Sequence, residues 1–275
     1  MTLASGQEIC YYESGSKDAP TLFLIHGMGN YAQVWFKLMR SLGQHFHCLS
    51  LDLPGHGGSP VRPVEESIAD FASVVEEFVL AFSPRDYVLA GHSMGGQVVL
   101  QTCLNEHLSP RSIVLLAPAG FEEFTDHDFA WLNSIYRGGI IAKLGKSRMV
   151  QQFRDSFHTF PEDADFMLKD VTHLRDSAQY LTYCNTLSRC ARAVFASSVY
   201  HELERVTTPA LVYYGQADAM VPHRVLHKDQ NLAELCAAAT QRMAQAQLHL
   251  LPATGHMLQW EAATEISRGM ESFLL

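Results

Sequence analysis

The sequence has little of what marks a nucleic-acid-binding, membrane-spanning or disulfide-stabilised protein. It carries 20 Lys and Arg against 29 Asp and Glu, a formal net charge of -9, without a basic cluster. An acidic chain of this kind is a poor binder of nucleic acid. No apolar run approaches the roughly 18 residues of a membrane span. The six cysteines include no Cys-x-x-Cys pair, which favours reduced thiols over a disulfide framework or a zinc site.

The first residues and the histidines point to no special processing and no cofactor. The opening stretch MTLASGQEICYYES has neither a basic start nor an apolar segment, so we expect no signal peptide and a cytoplasmic location. The 14 histidines are scattered along the chain, and no metal or organic cofactor is predicted. The expected partner is a small-molecule substrate, and the sequence leaves the oligomeric state open.

Strand and helix patterns alternate in the two ends of the chain. Apolar runs predict strands at 21–27, 47–57, 86–93, 111–120, 209–218 and 247–256, and helical spacing predicts helices at 34–42, 65–82, 94–107 and 257–275. Runs that are apolar on both faces suit strands covered by helices on both sides. This alternation predicts a mostly parallel sheet of the α/β class.

Residues 121–205 interrupt the alternation with short helical patterns and many aromatic residues. Of the 28 Phe, Tyr and Trp residues of the chain, 13 lie in this segment: Phe121, Phe124, Phe129, Trp131, Tyr136, Phe153, Phe157, Phe160, Phe166, Tyr180, Tyr183, Phe195 and Tyr200. Such residues fit two roles, the core of a small helical subdomain and the wall of an apolar pocket. We predict a core domain at 1–120 and 206–275, with a helical cap at 121–205 inserted into it.

Ser93 is the candidate nucleophile. It stands in AGHSMGG (90–96), a G-x-S-x-G pattern that ends a predicted strand and begins a predicted helix. A sharp strand-to-helix turn exposes the serine, and the flanking glycines avoid collisions there. The helix N-terminus after it offers unpaired N–H groups to an oxyanion.

A serine nucleophile needs a base and an acid that orients the base. His256 follows the last predicted strand, and Asp218 follows the strand before it. The carboxyl ends of parallel strands share one edge of the sheet, so these residues can meet Ser93. Acidic residues after the strand at 111–120 are alternatives for the acid: Glu122, Glu123, Asp126 and Asp128.

Five motifs together resemble the α/β-hydrolase family over nearly the whole chain. They are HG-x-G (26–29), D-x-P-G-H-G-x-S (52–59), G-H-S-M-G-G (91–96), G-x-x-D (215–218) and G-H-x-x-x-x-E (255–261). The resemblance implies the α/β-hydrolase fold, a mostly parallel sheet flanked by helices, with a helical cap inserted after the sixth strand. It implies Ser93, Asp218 and His256 as a catalytic triad, and the backbone N–H groups of Met28 and Met94 as an oxyanion hole. The segment 227–247 looks longer than is usual in the family.

The function expected from these features is a serine hydrolase. The resemblance suggests a carboxylesterase-like enzyme that cleaves a small to medium, largely apolar ester through an acyl-enzyme. A carbon–carbon bond hydrolase or a cofactor-free perhydrolase would use the same triad, and a non-catalytic ligand receptor would keep the same fold. Fold and triad alone leave the substrate open.

Overall fold

The apolar runs of the sequence pair into one sheet. In this computed structural model, which describes residues 1–62 and 67–275, the strand order is β1-β3-β2-β4-β5-β6-β7. The strands are β1 (Tyr11–Ser14), β2 (Thr21–Ile25), β3 (His47–Leu51), β4 (Tyr87–His92), β5 (Ser112–Leu116), β6 (Ala210–Gly215) and β7 (Ala246–Leu251). β1 runs antiparallel to β3, and the other neighbours are parallel. β1 is absent from the strands predicted from the sequence because its four residues are not fully buried and form no apolar run.

Eleven described α-helices flank or extend the sheet: α1 (Phe36–Leu42), α2 (Ile68–Phe82), α3 (Met94–Asn105), α4 (Asp126–Ile135), α5 (Gly138–Ile141), α6 (Lys146–Arg154), α7 (Asp165–Arg175), α8 (Tyr180–Ala196), α9 (Leu232–Gln241), α10 (Leu258–Glu261) and α11 (Ala263–Leu274). The helix predicted at 65–82 begins at Ile68, because Ser67 and Asp70 form a capping box there. The first two residues of that prediction lie outside the described residues. Within the described residues, every helix is too short or too polar to span a lipid bilayer.

The central strands are buried on both faces, as their unbroken apolar runs require. All residues of β2, β3 and β6 are buried, which is the pattern of parallel strands covered by helices on both sides. Helix α2 packs against α3, and α1 packs against α11. Because β2, β4, β5 and β6 are parallel neighbours, their carboxyl ends lie along one edge of the sheet.

Helices α4 to α8 lie between β5 and β6, where the sequence predicts the inserted segment. The strand before the insertion, given as the sixth by the resemblance, is the fifth described strand of this chain. Helix α8 packs against α4 and α5, and α6 packs against α7. The two ends of the segment meet where Val199 N donates to Gly120 O at 3.1 Å. The insertion therefore leaves the sheet at the carboxyl edge that carries the motif residues, and the chain re-enters the sheet at the opposite edge, where β6 begins parallel to β5.

Candidate active site

Ser93 stands at a sharp turn between β4 and α3. Its φ of 54° and ψ of -120° fall where residues with a side chain are rarely found. Backbone hydrogen bonds hold the turn, since Ser93 N donates to Leu116 O at 2.9 Å and Ala119 N donates to Ser93 O at 3.0 Å. The serine is only half-buried, so the turn presents its hydroxyl at the carboxyl edge of the sheet.

The glycines around Ser93 are required by close backbone contacts. A Cβ at Gly95 would lie 2.3 Å from Ile25 O, and a Cβ at Gly91 would lie 2.2 Å from Gly95 O. A Cβ at Gly27 would lie 2.9 Å from the Cβ of Ser93. Real Cβ atoms do not approach other atoms this closely, so α3 packs against β2 and β4 only with glycine here.

His256 and Asp218 form a hydrogen-bonded pair. His256 Nδ1 lies 2.7 Å from Asp218 Oδ2, and the two side chains are 9% and 0% exposed. Asp218 Oδ1 accepts hydrogen bonds from Met220 N at 2.7 Å and Val221 N at 3.0 Å, so both carboxylate oxygens have fixed partners. Since Nδ1 donates to the carboxylate, Nε2 is the acceptor of the neutral imidazole.

The loop that carries His256 is held from two sides. His256 N donates to Ser156 O of the insertion at 2.8 Å. On the other side, the Nε2–H group of His92 donates to His256 O at 2.9 Å. Burial holds the pKa of His92 well below its usual range, so His92 is neutral at pH 7. These two hydrogen bonds therefore fix the backbone N–H and C=O groups of His256, and with them the position of its side chain.

Glu261 connects the same loop to the insertion. Its Oε2 accepts from Gly255 N at 2.9 Å, and its Oε1 accepts from His158 N at 2.9 Å and Thr159 N at 3.0 Å. This carboxylate is the last residue of the G-H-x-x-x-x-E motif, to which the sequence analysis gives no role. The motif spacing is explained by α10, which places Glu261 one helical turn beyond the loop.

The other candidate acids have partners different from His256. Glu122 Oε1 accepts from His223 N at 2.7 Å and from His227 Nδ1 at 2.6 Å. Asp128 accepts from Thr125 N at 2.9 Å and caps α4. Asp218 is thus the carboxylate that the structure brings to His256. The remaining two are exposed: Glu123 and Asp126.

Met28 and Met94 follow the ends of β2 and β4. Both line a cavity of about 330 Å³ that Ser93 and His256 also line. Met94 is the first residue of α3, so its N–H has no partner within the helix. The structure therefore gathers four of the five predicted site residues around one cavity, with Asp218 buried behind His256.

The aromatic residues of the insertion divide between the two roles that the sequence leaves open. Six of them line the cavity: Phe124, Tyr136, Phe153, Tyr180, Tyr183 and Phe195. Others pack away from it. Phe157 contacts Phe160 within the insertion, with ring centroids 5.1 Å apart, and Phe166 contacts Trp260 of the core at 5.5 Å. The insertion therefore supplies both a pocket wall and its own packing.

A larger cavity of about 590 Å³ lies beside this one. The two cavities share four lining residues, Gly29, Asn30, Val171 and Tyr183, and the hydroxyl of Tyr183 donates to Gly29 O at 3.2 Å. Among the described residues, neither Ser93 nor His256 lines the larger cavity. Because reacting groups must contact the substrate, the smaller cavity is the candidate substrate site.

His223 also lines the smaller cavity, although it is not among the site residues predicted from the sequence. The available signal was its H-x-x-x-H spacing with His227, which on a helix would suggest a zinc site. Here the two histidines lie in an irregular loop, and His227 is bonded to Glu122. In the described part of the chain, no group of three His, Cys, Asp or Glu side chains is placed to hold a metal ion.

Comparison with known proteins agrees with this architecture. A dihydrolipoyllysine-residue acetyltransferase component of an acetoin cleaving system from Pseudomonas putida is 28% identical over 98% of this chain and 67% of its own length. A pimeloyl-acyl-carrier-protein methyl ester esterase from Nitrosospira multiformis is 26% identical over 92% of this chain and 93% of its own length. A 1-acylglycerol-3-phosphate O-acyltransferase from Arabidopsis thaliana is 30% identical over 49% of this chain and 34% of its own length. The match therefore spans about a third of that relative.

A solved structure and a family model each match most of this chain. The structure of an esterase from Exiguobacterium antarcticum superposes with a TM-score of 0.81 at 17% identity, covering 99% of this chain and 97% of that one. At this identity the likeness shows the fold alone. The model described as the alpha/beta hydrolase family matches residues 22–268, which is most of the chain. This protein belongs to the alpha/beta hydrolase family.

Proposed function

We propose that this protein is a serine hydrolase that cleaves a small to medium, largely apolar carboxylic ester. The observation that carries the proposal is the buried His256–Asp218 hydrogen bond of 2.7 Å beside the cavity that Ser93 lines. Residues 121–205 act as the cap that covers this cavity. One of the similar proteins, that from Nitrosospira multiformis, is named as a methyl ester esterase, which supports an ester as the substrate.

In the first step, Ser93 Oγ attacks the ester carbonyl carbon while His256 Nε2 accepts the hydroxyl proton. Asp218 fixes the imidazole by accepting from Nδ1, and it stabilises the imidazolium that forms. The negative charge on the carbonyl oxygen is bound by the N–H groups of Met28 and Met94, and each such donor contributes about 3–4 kcal/mol to transition-state stabilisation. His256 then protonates the leaving alcohol, and the acyl group remains on Ser93.

In the second step, water replaces the alcohol. His256 Nε2 accepts a proton from the water as its oxygen attacks the acyl carbon, and the same two N–H groups bind the oxyanion. His256 returns the proton to Ser93 Oγ as the acyl–oxygen bond breaks, and the carboxylic acid leaves. Ser93 and His256 are then back in their starting protonation states. The two steps use only the triad, the two backbone N–H groups and water.

Substitution of Ser93 tests the proposal directly. We expect Ser93→Ala to lose covalent labelling by a fluorophosphonate and to lose nearly all ester turnover, because the nucleophile is gone. The matched control is Ser73→Ala, since Ser73 is an exposed serine on α2 and should label and turn over as wild type. Labelling that survives in Ser93→Ala would refute the assignment. Rapid labelling without turnover of any ester would point instead to carbon–carbon bond hydrolysis by the same residues.

A further inference from the structure

The cavity that Ser93 lines has a polar end within its mostly apolar wall. Glu122 and His223 both line it, and neither has a role in the proposed reaction. They come from different parts of the fold, since Glu122 follows β5 and the insertion begins there, whereas His223 lies in the loop after β6. The hydrogen bond from His223 N to Glu122 Oε1, 2.7 Å long, joins the two segments.

The tautomer of His223 is fixed by the backbone. Leu226 N donates to His223 Nδ1 at 3.2 Å, so the proton of the neutral ring is on Nε2. Burial lowers the pKa of His223, and the nearby His227 lowers it further, which keeps the ring neutral at pH 7. Phe124, Trp131 and Phe195 surround the ring with centroids 6.0 to 6.3 Å away. His223 is therefore a fixed hydrogen-bond donor in an aromatic surround.

Glu122 is the complementary acceptor. Both hydrogen bonds that the structure shows for its carboxylate end on Oε1, from His223 N at 2.7 Å and His227 Nδ1 at 2.6 Å. A carboxylate accepts about four hydrogen bonds, so the group retains acceptor capacity toward the cavity that it lines. The negative charge would repel a carboxylate on the substrate, and an alkyl group would give no partner to Glu122 Oε2 or to the Nε2–H group of His223.

We propose that Glu122 and His223 form a subsite that binds a hydroxyl group of the substrate, on the acyl or the alcohol side of the ester. A hydroxyl both donates and accepts, so it uses the Glu122 carboxylate and the His223 Nε2–H together. The inference rests on the proposed ester hydrolysis and names the substrate class more closely, as an apolar ester with one further hydroxyl. The H-x-x-x-H pair thus has a use other than metal binding, because His227 orients Glu122 while His223 contacts the substrate.

The test compares hydroxylated esters with their deoxy parents. On the acyl side these are ethyl esters of 3-hydroxyhexanoic, 6-hydroxyhexanoic and 8-hydroxyoctanoic acids, and on the alcohol side the 2-hydroxyethyl, 3-hydroxypropyl and 4-hydroxybutyl hexanoates. Acid release gives kcat/KM for each pair. In the wild type we expect at least one hydroxylated ester to exceed its parent by about tenfold, the effect of one well-placed hydrogen bond to a charged or buried group.

Two variants assign the preference to the subsite. His223→Phe removes the donor and should reduce the ratio of hydroxylated ester to parent to one or below. His223→Gln keeps an N–H donor and should retain part of the ratio. Because each ratio is measured within one protein, a general loss of activity cancels. A ratio near one for all six pairs in the wild type would overturn the subsite, and so would an equal gain for methoxy analogues, which only accept.

Binding without turnover separates this inference from the proposed function. Calorimetry on Ser93→Ala should show tighter binding of the preferred hydroxylated ester than of its parent, and Ser93→Ala/His223→Phe should lose that difference. If no ester is hydrolysed by the wild type but the binding difference is present, the esterase proposal fails and the subsite stands. If esters are hydrolysed and the binding difference is absent, the subsite fails and the esterase proposal stands.

Discussion

Ser93 holds a backbone conformation that costs about 1–3 kcal/mol relative to an ordinary one, with a φ of 54°. The neighbouring structure maintains it, because Ser93 N donates to Leu116 O and Ser93 O accepts from Ala119 N. Other conformations would turn the side chain away from the carboxyl edge. The strain at this one residue is therefore a direct consequence of where the strand ends and the helix begins.

Asp218→Asn is the sharpest single-residue test of the proposed pair. The backbone N–H groups of Met220 and Val221 donate to Oδ1, so the asparagine carbonyl will take that place and its NH₂ will face His256. Nδ1 must then accept, Nε2 carries the proton, and the base cannot take a proton from Ser93. We expect kcat to fall roughly 10³–10⁴-fold, measured with a chromogenic ester.

The control for this variant is Asp128→Asn. Asp128 is partly exposed and caps α4, so its loss of charge should leave kcat within about twofold of wild type, as surface substitutions usually do. Equal losses in both variants would remove Asp218 from its proposed role.

The sequence singles out residues that stand in motifs and misses residues whose position depends on the fold. Ser93, Asp218 and His256 stand in motifs at strand ends, and in the structure Ser93 and His256 line one cavity while Asp218 is hydrogen-bonded to His256. His223 has no motif of its own. Its place in the cavity depends on the loop after β6 and on a bond to Glu122, and neither is visible in local sequence patterns.

At the scale of elements, the strands of the sheet are easier to predict from the sequence than the arrangement of the insertion. Buried parallel strands have continuous apolar runs, so six of the seven described strands are evident from the sequence. Four of the five helices of the insertion have 4 to 11 residues, whereas α8 has 17, and α6 has no buried residue. Their aromatic side chains predict a pocket wall, but which of them face the cavity depends on tertiary packing.

The insertion should set the length of acyl chain that is accepted. Each methylene buried in the apolar cavity contributes about 0.8 kcal/mol, or roughly a fourfold gain in kcat/KM. We expect kcat/KM to rise from acetate to medium-chain p-nitrophenyl esters and then to fall. A strict preference for acetate would contradict this, and so would an increase without limit accompanied by activation at an oil–water interface.

A pair of variants links that optimum to the cavity wall. Phe153 lines the cavity, so Phe153→Ala should move the optimum to longer chains. Phe166 lies in the same insertion but packs against Trp260, so Phe166→Ala should leave the optimum in place. An unchanged optimum in Phe153→Ala would mean that substrate chains do not reach this wall.

At the scale of the whole molecule, several histidines are buried in the folded state without charge. Burial lowers the pKa of His26 to about 4 and of His56 to about 3, and both belong to the motifs at the carboxyl edge. Their unfolded pKa is about 6.5. Below that pH the unfolded chain binds protons that the folded chain does not, so the free energy of unfolding falls as pH falls.

We expect this loss to begin near pH 6.5 and to continue to the folded pKa values. Each such histidine contributes a slope of up to about 1.4 kcal/mol per pH unit, measured by urea unfolding between pH 7 and pH 5. His56→Gln should reduce the slope by about one histidine's share, whatever its effect on absolute stability. His45→Gln, at an exposed position, should keep the wild-type slope, and a slope unchanged in His56→Gln would contradict the assignment.

The bond set of Glu261 has a consequence for building chimaeras. The Glu261 carboxylate accepts hydrogen bonds from Gly255, His158 and Thr159. The stretch from Ser156 to Thr159 is therefore tied to the loop that carries His256, and it should be kept when the rest of the insertion is exchanged. A donor segment from another hydrolase should be spliced in on either side of that stretch. A graft that replaces this stretch would change the hydrogen bonds that hold the His256 loop as well as the cavity wall. A change in substrate selectivity could then not be assigned to the new cavity wall alone.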